Sequence, residues 1–540
     1  MENAEIAVQL EAFAALLELN GAGYYTARAY RRAAELIRDT RAPVAELVRE
    51  GRVRDLRGIG PGIEARLREL VATGGLEELR ELRETLMPEL VGLGHLLGVG
   101  PKRMRELAQA LGVRTADEFR AAVLVGRLQS VPGVGPKTEA KLRAGLERAG
   151  KPKPRRGLLL NRAWELARGV AEPLGGEVAG DPRRWKDSCE DLAVVVAADD
   201  PKATLDAFEA LTQIVSVLER GERRAIGVTV EGVPVELVVP AHGSFGTALV
   251  RATGSDEYVR ALEPLPEAPD EAGAYEVLGV PWCPPELRER PHRDRPPHFL
   301  LRLDDVRGDL HVHTTWSDGK ATVLEMGEAA LALGYDYVAI CDHTTNVRVV
   351  PGLDADAVRR QGEEIAGANE RLAPFRVLRG IECDILPDGS LELPDDVLAE
   401  LDWVQLSLHA GQRQAGPELT RKVTEAMRHP AVRCLSHPTG RLISHRPPNA
   451  LDVERTVEVA LEEGVALEVN GLPDRLDLRD GHVRLAVEGG VQICVNTDAH
   501  SVRGLGNMQL AVATARRGAA QLGDVLNTKP LEQVLALRKR

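Results

Sequence analysis

The chain has 540 residues, of which 44% are hydrophobic, and it carries a formal net charge of −13. This length exceeds what one hydrophobic core supports, so several domains are expected. No apolar run approaches the ~18 residues that a membrane helix requires. The N-terminal segment lacks the basic start of a signal peptide, and the six cysteines include no CxxC pair. These features predict a reduced, cytoplasmic protein.

Charge is divided unevenly along the chain. Residues 1–160 contain 27 Lys and Arg against 21 Asp and Glu, a net of +6, so the remaining residues carry −19. Eleven of the 13 histidines lie beyond residue 290. Cations are therefore concentrated in the N-terminal part and histidines in an acidic C-terminal part, which indicates two different kinds of binding site.

A short sequence pattern occurs three times within the first 150 residues, at 58–70, 98–111 and 133–146. Each copy has Gly-apolar-Gly-Pro followed by an amphipathic helix. The glycines permit a tight turn, and the proline suits the first turn of a helix. The exposed N–H groups of such a turn bind a backbone phosphate without reading bases.

These copies resemble the helix-hairpin-helix element of DNA repair proteins and polymerases. An ordinary helix corner is the alternative for any one copy, whereas three copies on the basic part of the chain favour sequence-independent DNA binding. The residues expected to contact DNA are Gly58, Gly60, Gly98, Gly100, Lys102, Gly133, Gly135 and Lys137.

The pattern changes after the third copy. Residues 151–156 are expected to form a basic linker, and residues 160–285 alternate β-rich runs with helical stretches, which predicts an α+β domain. The proline- and charge-rich segment 281–299 is expected to be a surface linker. From about residue 305 onward, short apolar strands alternate with helices, which predicts parallel strands in a barrel.

Each predicted strand of this last region ends in a side chain that can bind a metal ion. Active sites of α/β barrels lie at the C-terminal ends of the strands, so these side chains should converge. They supply nitrogen and oxygen but no thiolate, which suits two or three ions of zinc, manganese or iron type. The candidate ligands are His311, His313, Asp318, His343, Glu382, His409, His437, Asp498 and His500.

A structural role is the alternative for any single polar residue in this region. We retain that interpretation for His429, His445 and His482, which do not lie at predicted strand ends. Cys341 and Cys383 neighbour candidate ligands in sequence, but alternation along a strand turns adjacent side chains to opposite faces. Both cysteines are therefore expected to pack in the core.

In chain order, the motifs HxH, DH, E, H, HP and DxH resemble the PHP (polymerase and histidinol phosphatase) family over residues 305–540. The resemblance implies a distorted (βα)7 barrel with a trinuclear metal centre, whose ions provide the nucleophile without a separate general base. It implies one ion at His311, His313, Glu382 and Asp498, a second at Glu382, His409 and His437, and a third at Asp318, His343 and His500. The catalytic group would be Glu382, Asp498, His409 and His437.

Two arginines follow predicted strand ends in the same region. Arg441 stands in HPTGRL and Arg475 in NGLPDRL. Guanidinium groups at such positions are expected to pair with substrate phosphates. A solvated loop position is the alternative for each of them.

The order of hairpin repeats, α+β domain and PHP barrel resembles the bacterial family X DNA polymerases over nearly the whole chain. The resemblance implies a multidomain fold with a helical N-terminal region, an α+β nucleotidyltransferase-like palm and a C-terminal α/β barrel. The implied domains are a DNA-binding domain at 1–88, a fingers-like domain with two hairpins at 89–157, a degenerate palm and thumb at 158–290 and the PHP phosphoesterase at 305–540.

The middle domain departs from the family where polymerisation is carried out. Polymerisation needs three carboxylates that hold two Mg²⁺ ions, and here Asp191, Ala193 and Glu236 stand at those positions. Asp181 replaces the serine of the phosphate-binding turn. Mg²⁺ binding should be severely weakened, so polymerase activity is predicted to be weak or lost. The remnant of the nucleotide site comprises Asp191, Glu236, Arg183, Gly254 and Ser255.

A second activity of family X relatives, the 5′-deoxyribose-phosphate lyase, uses a lysine of the first domain as Schiff-base nucleophile. The first lysine of this chain is Lys102, and Arg66 occupies the position expected for the nucleophile. A guanidinium stays protonated and does not form an imine. Lyase activity through that residue is excluded.

The leading hypothesis is a DNA-repair nuclease whose PHP barrel digests gapped, nicked or single-stranded DNA 3′→5′ or incises abasic sites, with Mn²⁺, Zn²⁺ or Fe²⁺ bound. One alternative is a residual gap-filling polymerase that uses Asp191, Glu236 and either Glu190 or Asp187. The others are a phosphatase of small phosphate monoesters and a non-catalytic DNA-binding scaffold. No membrane association is expected.

Overall fold

The computed structural model describes every residue of the chain except 21–23, 41–42, 57, 86–92, 94–96, 98, 100, 133, 137–138, 140–141, 144–156, 292–298, 348–349 and 538–540. Two compact units are present. The N-terminal unit contains Met1–Leu158, Arg162–Arg183 and Cys189–Trp282, and the C-terminal unit contains Leu159–Asn161, Arg184–Ser188 and Cys283–Arg540. None of the described helices has the length and apolar character needed to cross a membrane.

The N-terminal unit begins with a helical region. Its first helix buries Ile6, Leu10 and Phe13, whose spacing of three and four residues places them on one helix face. The helices of this region are Asn3–Leu19, Tyr24–Asp39, Val44–Arg49, Pro61–Thr73, Glu77–Thr85, Pro101–Leu111 and Ala116–Leu124, with short 3₁₀ turns at Val53–Asp55 and Arg127–Ser130.

The first predicted hairpin turn has the expected backbone. Gly58 has a φ of 115°, which side-chain-bearing residues rarely adopt, and Gly60 caps the helix that begins at Pro61. A side chain at Gly60 or at Gly135 would meet no atom within 4 Å. Both turn positions are therefore open. The predicted DNA contacts that lie outside the described residues are Gly98, Gly100, Gly133, Lys137 and the side chain of Lys102.

A network of ion pairs joins the first two helices to the α+β region of the same unit. The buried carboxylate of Glu11 lies 2.9 Å from the guanidinium of Arg38 and 2.9 Å from that of Arg162. Arg38 and Arg162 each also reach Glu165, at 2.5 Å, and Arg162 reaches Glu231 at 2.6 Å. Because Glu11 neutralises two arginines, it is the centre of this network.

The α+β region is built on a five-stranded sheet with the order β2-β4-β7-β6-β5. The pair β4–β7 is parallel, and the other neighbours are antiparallel. The strands of this sheet are β2 Glu177–Ala179, β4 Leu192–Val195, β5 Ile214–Arg220, β6 Arg224–Thr229 and β7 Pro234–Val238, and the short strands β1 Leu158–Leu159 and β3 Ser188–Cys189 lie outside it. The helices are Leu160–Ala171, Gly180–Arg183, Pro201–Ala210, Phe245–Thr253, Asp256–Leu262 and Glu271–Leu278, with a 3₁₀ turn at Glu172–Leu174.

The C-terminal unit is a parallel barrel of seven strands in chain order, β8 to β14. A backbone bridge between Val312 and Ala499 nearly closes it. The strands are β8 Gly308–Val312, β9 Tyr337–Ile340, β10 Arg376–Asp384, β11 Trp403–Ser407, β12 Val432–Leu435, β13 Ala466–Asn470 and β14 Ile493–Asn496. The surrounding helices are Val323–Ala332, Ala355–Leu372, Asp395–Ala399, Gly416–Met427, Val453–Glu463, Asp480–Glu488, Met508–Arg517 and Leu531–Leu535. Short 3₁₀ turns lie at Pro285–Leu287, Leu303–Asp305, Thr345–Val347, Val502–Asn507, Leu522–Asp524 and Leu526–Thr528.

Alternation along the barrel strands separates two apolar clusters. Residues such as Val404, Leu467 and Ile493 pack in a cluster that contains side chains of the surrounding helices. Their neighbours on the opposite strand face, among them Trp403 and Cys494, form a second cluster. On β11 to β14 this second face becomes polar two residues further along the strand, at Gln405, Ser436, Glu468 and Asn496. The predicted multidomain fold with a helical N-terminal region and a C-terminal barrel is confirmed.

The predicted surface linker at 281–299 is wrong for its first part. Cys283, Leu287 and Arg288 are each at most 3% exposed. The Nε of Arg288 donates a hydrogen bond of 2.9 Å to the carbonyl oxygen of Cys283 within the same segment. Proline and charge content therefore misidentified a packed segment as a solvated one.

Substitution of Glu11 tests the ion-pair network. Glu11→Ala should lower the free energy of unfolding of the N-terminal unit by about 3 kcal/mol, because it leaves two arginines without their shared buried partner. Urea denaturation of the full chain measures the change. Glu50→Ala is the matched control, since Glu50 pairs with Arg52 while more than half exposed, and it should cost less than about 1 kcal/mol. Equal effects of the two substitutions would contradict the prediction.

Candidate metal centre

All nine predicted ligands lie at the C-terminal edge of the barrel strands or in the loops that follow. His311 and His313 flank Val312 at the end of β8, and their Nε2 atoms are 3.1 Å apart. The Nε2 of His313 is 3.0 Å from Asp498 Oδ1, and that of His311 is 3.8 Å from the same oxygen. Glu382 Oε2 lies 3.6 Å from His311 and 3.7 Å from His313. These four side chains form the first predicted group.

The second predicted group forms around the other oxygen of Glu382. Oε1 of this carboxylate is 2.9 Å from His437 Nε2 and 3.5 Å from His409 Nε2. His409 follows β11 and His437 follows β12, so the adjacent parallel strands bring the two imidazoles together. Glu382 thus faces both groups through its two oxygens, as a bridging ligand does.

The third predicted group lies around Asp318. Its Oδ1 is 3.3 Å from His500 Nε2 and 3.7 Å from His343 Nε2. His343 also turns its Nδ1 to within 2.7 Å of Glu382 Oε2. The potential ligand atoms of this group and of His313 lie within 4.8 Å of one another. His313 therefore lies between the first and third groups.

Two candidate ligands have unusual backbone conformations. His437 has a φ of 24° and Asp498 a φ of 53°, in a region that side-chain-bearing residues adopt at a cost of about 1–3 kcal/mol. Such strain persists where the surrounding structure fixes the residue. Here it turns both side chains towards Glu382 and the two strand-end histidines of β8.

Sequence analysis missed the residue that orients His311. The carboxylate of the fully buried Glu468, on β13, accepts a hydrogen bond of 2.7 Å from Nδ1 of His311, which leaves Nε2 free for a metal. It also accepts from the backbone N–H of His437 at 2.8 Å and from the amide of Gln405 at 2.7 Å. The signal was present, since a glutamate within the apolar run VALEVN occupies a buried strand.

Aspartates next to the ligands hold the surrounding loops. Asp384 accepts a hydrogen bond of 3.0 Å from the backbone N–H of His409. Asp342 accepts one of 2.8 Å from the backbone N–H of Thr314 and one of 2.7 Å from the amide of Gln361. Both aspartates are fully buried. Their position in the motifs ECD and CDH was visible in the sequence, but their supporting role was not.

Charges in the centre stabilise one another. Burial alone would raise the pKa of the Glu382 carboxyl, but His343 and His409 hold that pKa well below its usual range. Burial likewise opposes protonation of His500, yet Asp318 raises the pKa of that imidazole to about 9. Opposite charges therefore face each other at short range in a low-dielectric site.

The donor set fits divalent metal ions. It consists of imidazole nitrogens and carboxylate oxygens, the ligands of zinc, manganese and iron sites. Among the described residues, no hydrogen bond reaches Nδ1 of His313 or of His437, although both atoms are buried. Imidazole nitrogens of several histidines surround the carboxylate of Glu382. Such a convergence of possible ligand atoms is typical of a metal site. The residues present fit a metal centre.

The two loop arginines differ in their availability. The guanidinium of Arg441 donates to the carbonyl oxygens of Arg475, at 2.8 Å, and of Leu476, and lies 2.6 Å from the Asp187 carboxylate. Its pairing with a substrate phosphate stays a prediction. Arg475 lies beside the centre, with its Nε 3.8 Å from Asp498 Oδ2. The guanidinium of Arg475 therefore lies beside the candidate ligands, whereas that of Arg441 is held by other groups of the protein.

The two cysteines that were predicted to pack in the core do so. Cys341 and Cys383 are fully buried, and burial raises the pKa of the Cys383 thiol to about 11, so it stays protonated. His429 accepts a hydrogen bond of 3.3 Å from the backbone of Ala431. Burial and the charge of Arg479 lower the pKa of His482 to about 4.

Two of the residues predicted to be the remnant of a nucleotide site, Asp191 and Glu236, lie beside β4 and on β7. Ala193 on β4 pairs in register with Glu236 on β7, which places a methyl group beside the remaining carboxylate. Glu236 is 7% exposed and its Oε1 accepts a hydrogen bond from Nε of Arg224. An internal cation thus neutralises the third position. Asp191 lies immediately before β4.

The phosphate-binding part of the remnant is also satisfied internally. Asp181 is 1% exposed and accepts hydrogen bonds from the backbone N–H groups of Glu190 and Asp191, at 2.7 and 3.0 Å. Arg183 forms a two-pronged pair with Glu271, at 2.7 and 3.0 Å. The carboxylate of Asp181 therefore accepts from two backbone amides of the predicted phosphate-binding turn, and the carboxylate of Glu271 pairs with Arg183.

The turn at Gly254 and Ser255 retains a structural role. Ser255 caps the following helix through a hydrogen bond of 3.1 Å from the backbone N–H of Tyr258. A side chain at Gly254 would come within 3.0 Å of Tyr258 and Val259. Packing alone therefore accounts for glycine at this position.

On the first domain, Arg66 stands in the helix Pro61–Thr73. Its guanidinium pairs with Glu69 at 3.0 Å and with Glu78. Burial opposes the charge, but the pairing with Glu69 and Glu78 leaves the pKa of Arg66 raised. The group stays protonated, in agreement with the exclusion of lyase chemistry.

Comparison with known families agrees with this geometry. The helix-hairpin-helix domain matches residues 1–76, a tandem helix-hairpin-helix matches 92–148, and the PHP domain matches 309–470. The barrel with its cluster of histidines and carboxylates therefore defines a PHP domain, a hydrolase domain that carries a metal site. The helix-hairpin-helix domains imply that the protein binds DNA.

Relatives identify the family more closely. The chain is 33% identical to the DNA polymerase/3′-5′ exonuclease PolX of Bacillus subtilis (strain 168), with 100% of both chains covered. It belongs to the bacterial PolX family, as the sequence predicted. A probable phosphatase of Thermoanaerobacter sp. (strain X514) is 26% identical over 43% of this chain and 95% of its own length. One from Acetivibrio thermocellus is 31% identical over 30% of this chain and 64% of its own length.

Glu468 provides a test of the centre that leaves every candidate ligand in place. Glu468→Gln should lower the affinity for Mn²⁺ roughly 10- to 100-fold, because the carboxylate no longer orients His311. Calorimetric titration of the full chain with Mn²⁺ measures this loss. Glu488→Gln, at an exposed position of the same unit, is the control. Unchanged Mn²⁺ affinity in a folded Glu468→Gln protein would refute the assigned role.

Proposed function

We propose that the C-terminal barrel hydrolyses DNA phosphodiesters, from 3′ ends or at abasic sites, at a centre of three divalent ions with Mn²⁺ as activator. The proposal rests above all on the convergence of nine nitrogen- and oxygen-bearing side chains on one edge of the barrel. The PolX relative whose name includes 3′-5′ exonuclease supports the choice of reaction. Zn²⁺ and Fe²⁺ are the alternative occupants for this ligand set.

The residues have distinct tasks in this reaction. Close divalent ions, when bound, activate water and neutralise charge on a phosphate. Glu382 faces two ligand groups and fixes their separation, while Asp498, His409 and His437 complete the catalytic group. Arg475, beside Asp498, is positioned to pair with a phosphate of the substrate. His311 is held in one orientation by Glu468.

DNA is the substrate that the rest of the chain favours. Open turns at Gly60 and Gly135 and the net charge of +6 over residues 1–160 suit the sugar-phosphate backbone of gapped, nicked or single-stranded DNA. Gly58 supplies the left-handed turn of the first hairpin. Binding through such turns is independent of sequence.

We further propose that the division at 1–88, 89–157, 158–290 and 305–540 reflects separate tasks. The family matches at 1–76, 92–148 and 309–470 support it. The degenerate palm would hold DNA without Mg²⁺. The six free, buried cysteines support a reduced compartment such as the cytoplasm.

Polymerase activity is weak or absent in this proposal. Ala193 removes one Mg²⁺ ligand, Arg224 neutralises Glu236, and Asp181 fills the amides of the phosphate-binding turn. Of the two substitute carboxylates considered for a residual polymerase, Asp187 lies 2.6 Å from the guanidinium of Arg441. Each of these contacts opposes binding of a Mg²⁺–triphosphate complex.

A phosphatase of small phosphate monoesters is the second candidate. The probable phosphatases that match 30–43% of this chain favour it. Hydrolysis of histidinol phosphate or p-nitrophenyl phosphate without binding or cleavage of DNA at low salt would select this function over the nuclease.

The nuclease is tested on 5′-labelled DNA with single-stranded, nicked and one-nucleotide-gapped ends, and on an abasic-site duplex, in the presence of Mn²⁺. We expect ladder-like shortening from 3′ ends by the full chain. Glu382→Ala should lower the rate by at least about 10³-fold, since it removes the carboxylate shared by two ligand groups.

His429→Ala is the matched control, because His429 lies outside the centre and accepts a hydrogen bond from the backbone N–H of Ala431. It should retain the activity of the parent protein. Absence of DNA cleavage with Mn²⁺, or full activity of a folded Glu382→Ala protein, would refute the proposed nuclease.

Primer extension tests the polymerase. On a one-nucleotide gap with Mg²⁺ or Mn²⁺ and all four deoxynucleotides, we expect extension no faster than that of an Asp191→Ala variant, because the carboxylate cluster is incomplete. Asp199→Ala, outside the remnant, controls for nonspecific effects. Extension by the parent protein that Asp191→Ala abolishes would instead support the residual polymerase.

A further inference from the structure

Trp316 lies at the edge of the metal centre without a task in the reaction described above. It stands in the loop after β8, two residues before the candidate ligand Asp318. The side chain is half-buried and contacts the apolar cluster between strands and helices. The chain has five tryptophans among its 540 residues, and Trp316 lies close in sequence to a candidate ligand.

Two residues of the helix Ala355–Leu372 hold the indole. Its Nε1 donates a hydrogen bond of 2.7 Å to the carboxylate of Glu364. The guanidinium of Arg360, one turn earlier on the helix, lies 5.7 Å from the centroid of the Trp316 ring, within cation–π range. The hydrogen bond therefore fixes the orientation of the indole ring, and the exposed guanidinium of Arg360 lies over the face of the ring.

The loop that carries Trp316 is rigid relative to the centre. Asp342 binds the backbone and hydroxyl of Thr314 and receives the amide of Gln361 from the same helix. Gly319 closes the loop by donating to the carbonyl oxygen of Thr314 at 2.9 Å. Trp316 thus keeps a constant position relative to Asp318.

Arg360 differs from its neighbour in its charge partners. Arg359 pairs with Asp396 at 3.1 Å and with Glu400 at 3.4 Å. Within the described part of the chain, Arg360 forms no ion pair with a carboxylate, and Trp316 is its aromatic partner. An exposed guanidinium plane beside an indole is a surface on which nucleobases stack.

We propose that Trp316 and Arg360 form a stacking platform that holds a nucleobase of the DNA strand whose end enters the metal centre. The inference rests on the nuclease function proposed above and adds a positioning element to it. Since every base has a π-face, the platform is tolerant of sequence. It selects a polynucleotide end over a phosphoester that lacks a base.

The test compares two substrates of the full chain in Mn²⁺: a single-stranded oligodeoxynucleotide and bis(p-nitrophenyl) phosphate, a phosphodiester without a nucleobase. Trp316→Ala and Arg360→Ala should each raise KM for the oligonucleotide by about tenfold, the scale of one lost base stack. The kcat for DNA and the hydrolysis of the small ester should stay within about twofold of the parent, because no proposed ligand is altered. Trp316→Phe should restore most of the oligonucleotide affinity.

Arg359→Ala is the matched control and should leave KM for DNA unchanged. Equal losses on both substrates in Trp316→Ala would show a structural role of the loop and overturn the platform. Unchanged KM for DNA in Trp316→Ala and Arg360→Ala, in a parent protein that cleaves DNA, would overturn it as well. A parent protein that cleaves neither substrate would refute the nuclease itself, and the platform with it.

Discussion

The buried carboxylate of Glu382 sets the arrangement of the upper edge of the barrel. An isolated anion in a protein interior costs several kcal/mol, so cations or donors must surround it. Five imidazoles come within 4 Å of its oxygens, from the ends of β8, β9, β11 and β12: those of His311, His313, His343, His409 and His437. Strand order, near closure of the barrel and the left-handed backbone at His437 all contribute to this one contact.

The α+β region satisfies its charges in the opposite way. Glu236 has Arg224, Arg183 has Glu271, and Asp181 has two backbone amides as partners. Each of these groups has its counter-group within the protein, so an incoming Mg²⁺ or phosphate would first have to displace it. In the barrel, by contrast, carboxylates and imidazoles converge with their ligand atoms turned towards one another. The two regions therefore differ in whether an external ion completes the site.

Sequence alone located the candidate ligands because each stands at the end of an apolar strand, where the chain geometry leaves little choice of position. Glu468 was not predicted, because it stands within the strand run VALEVN and not at a strand end, where the ligands were expected. The contact of Arg441 with Asp187 was not predictable either, since the two residues are 254 positions apart in the chain. Proline-rich composition likewise hid the fully buried Arg288, whose Nε donates to the carbonyl oxygen of Cys283. The local sequence pattern predicted which strand face a side chain lies on and where the ligands stand along the chain. Partners that are distant in sequence could be identified only from the folded structure.

The carboxylate of Asp181 links the charge of this turn to the stability of the α+β region. A serine at this position would present a shorter acceptor to the amides of Glu190 and Asp191. An aspartate in place of Ala193 would lie beside Glu236 in register and add a second buried negative charge. Each substitution alone is therefore expected to lower the stability of the fold, which is a large effect in a marginally stable protein. An ion site engineered into this sheet would need compensating changes at Asp181, Ala193 and Glu236 together.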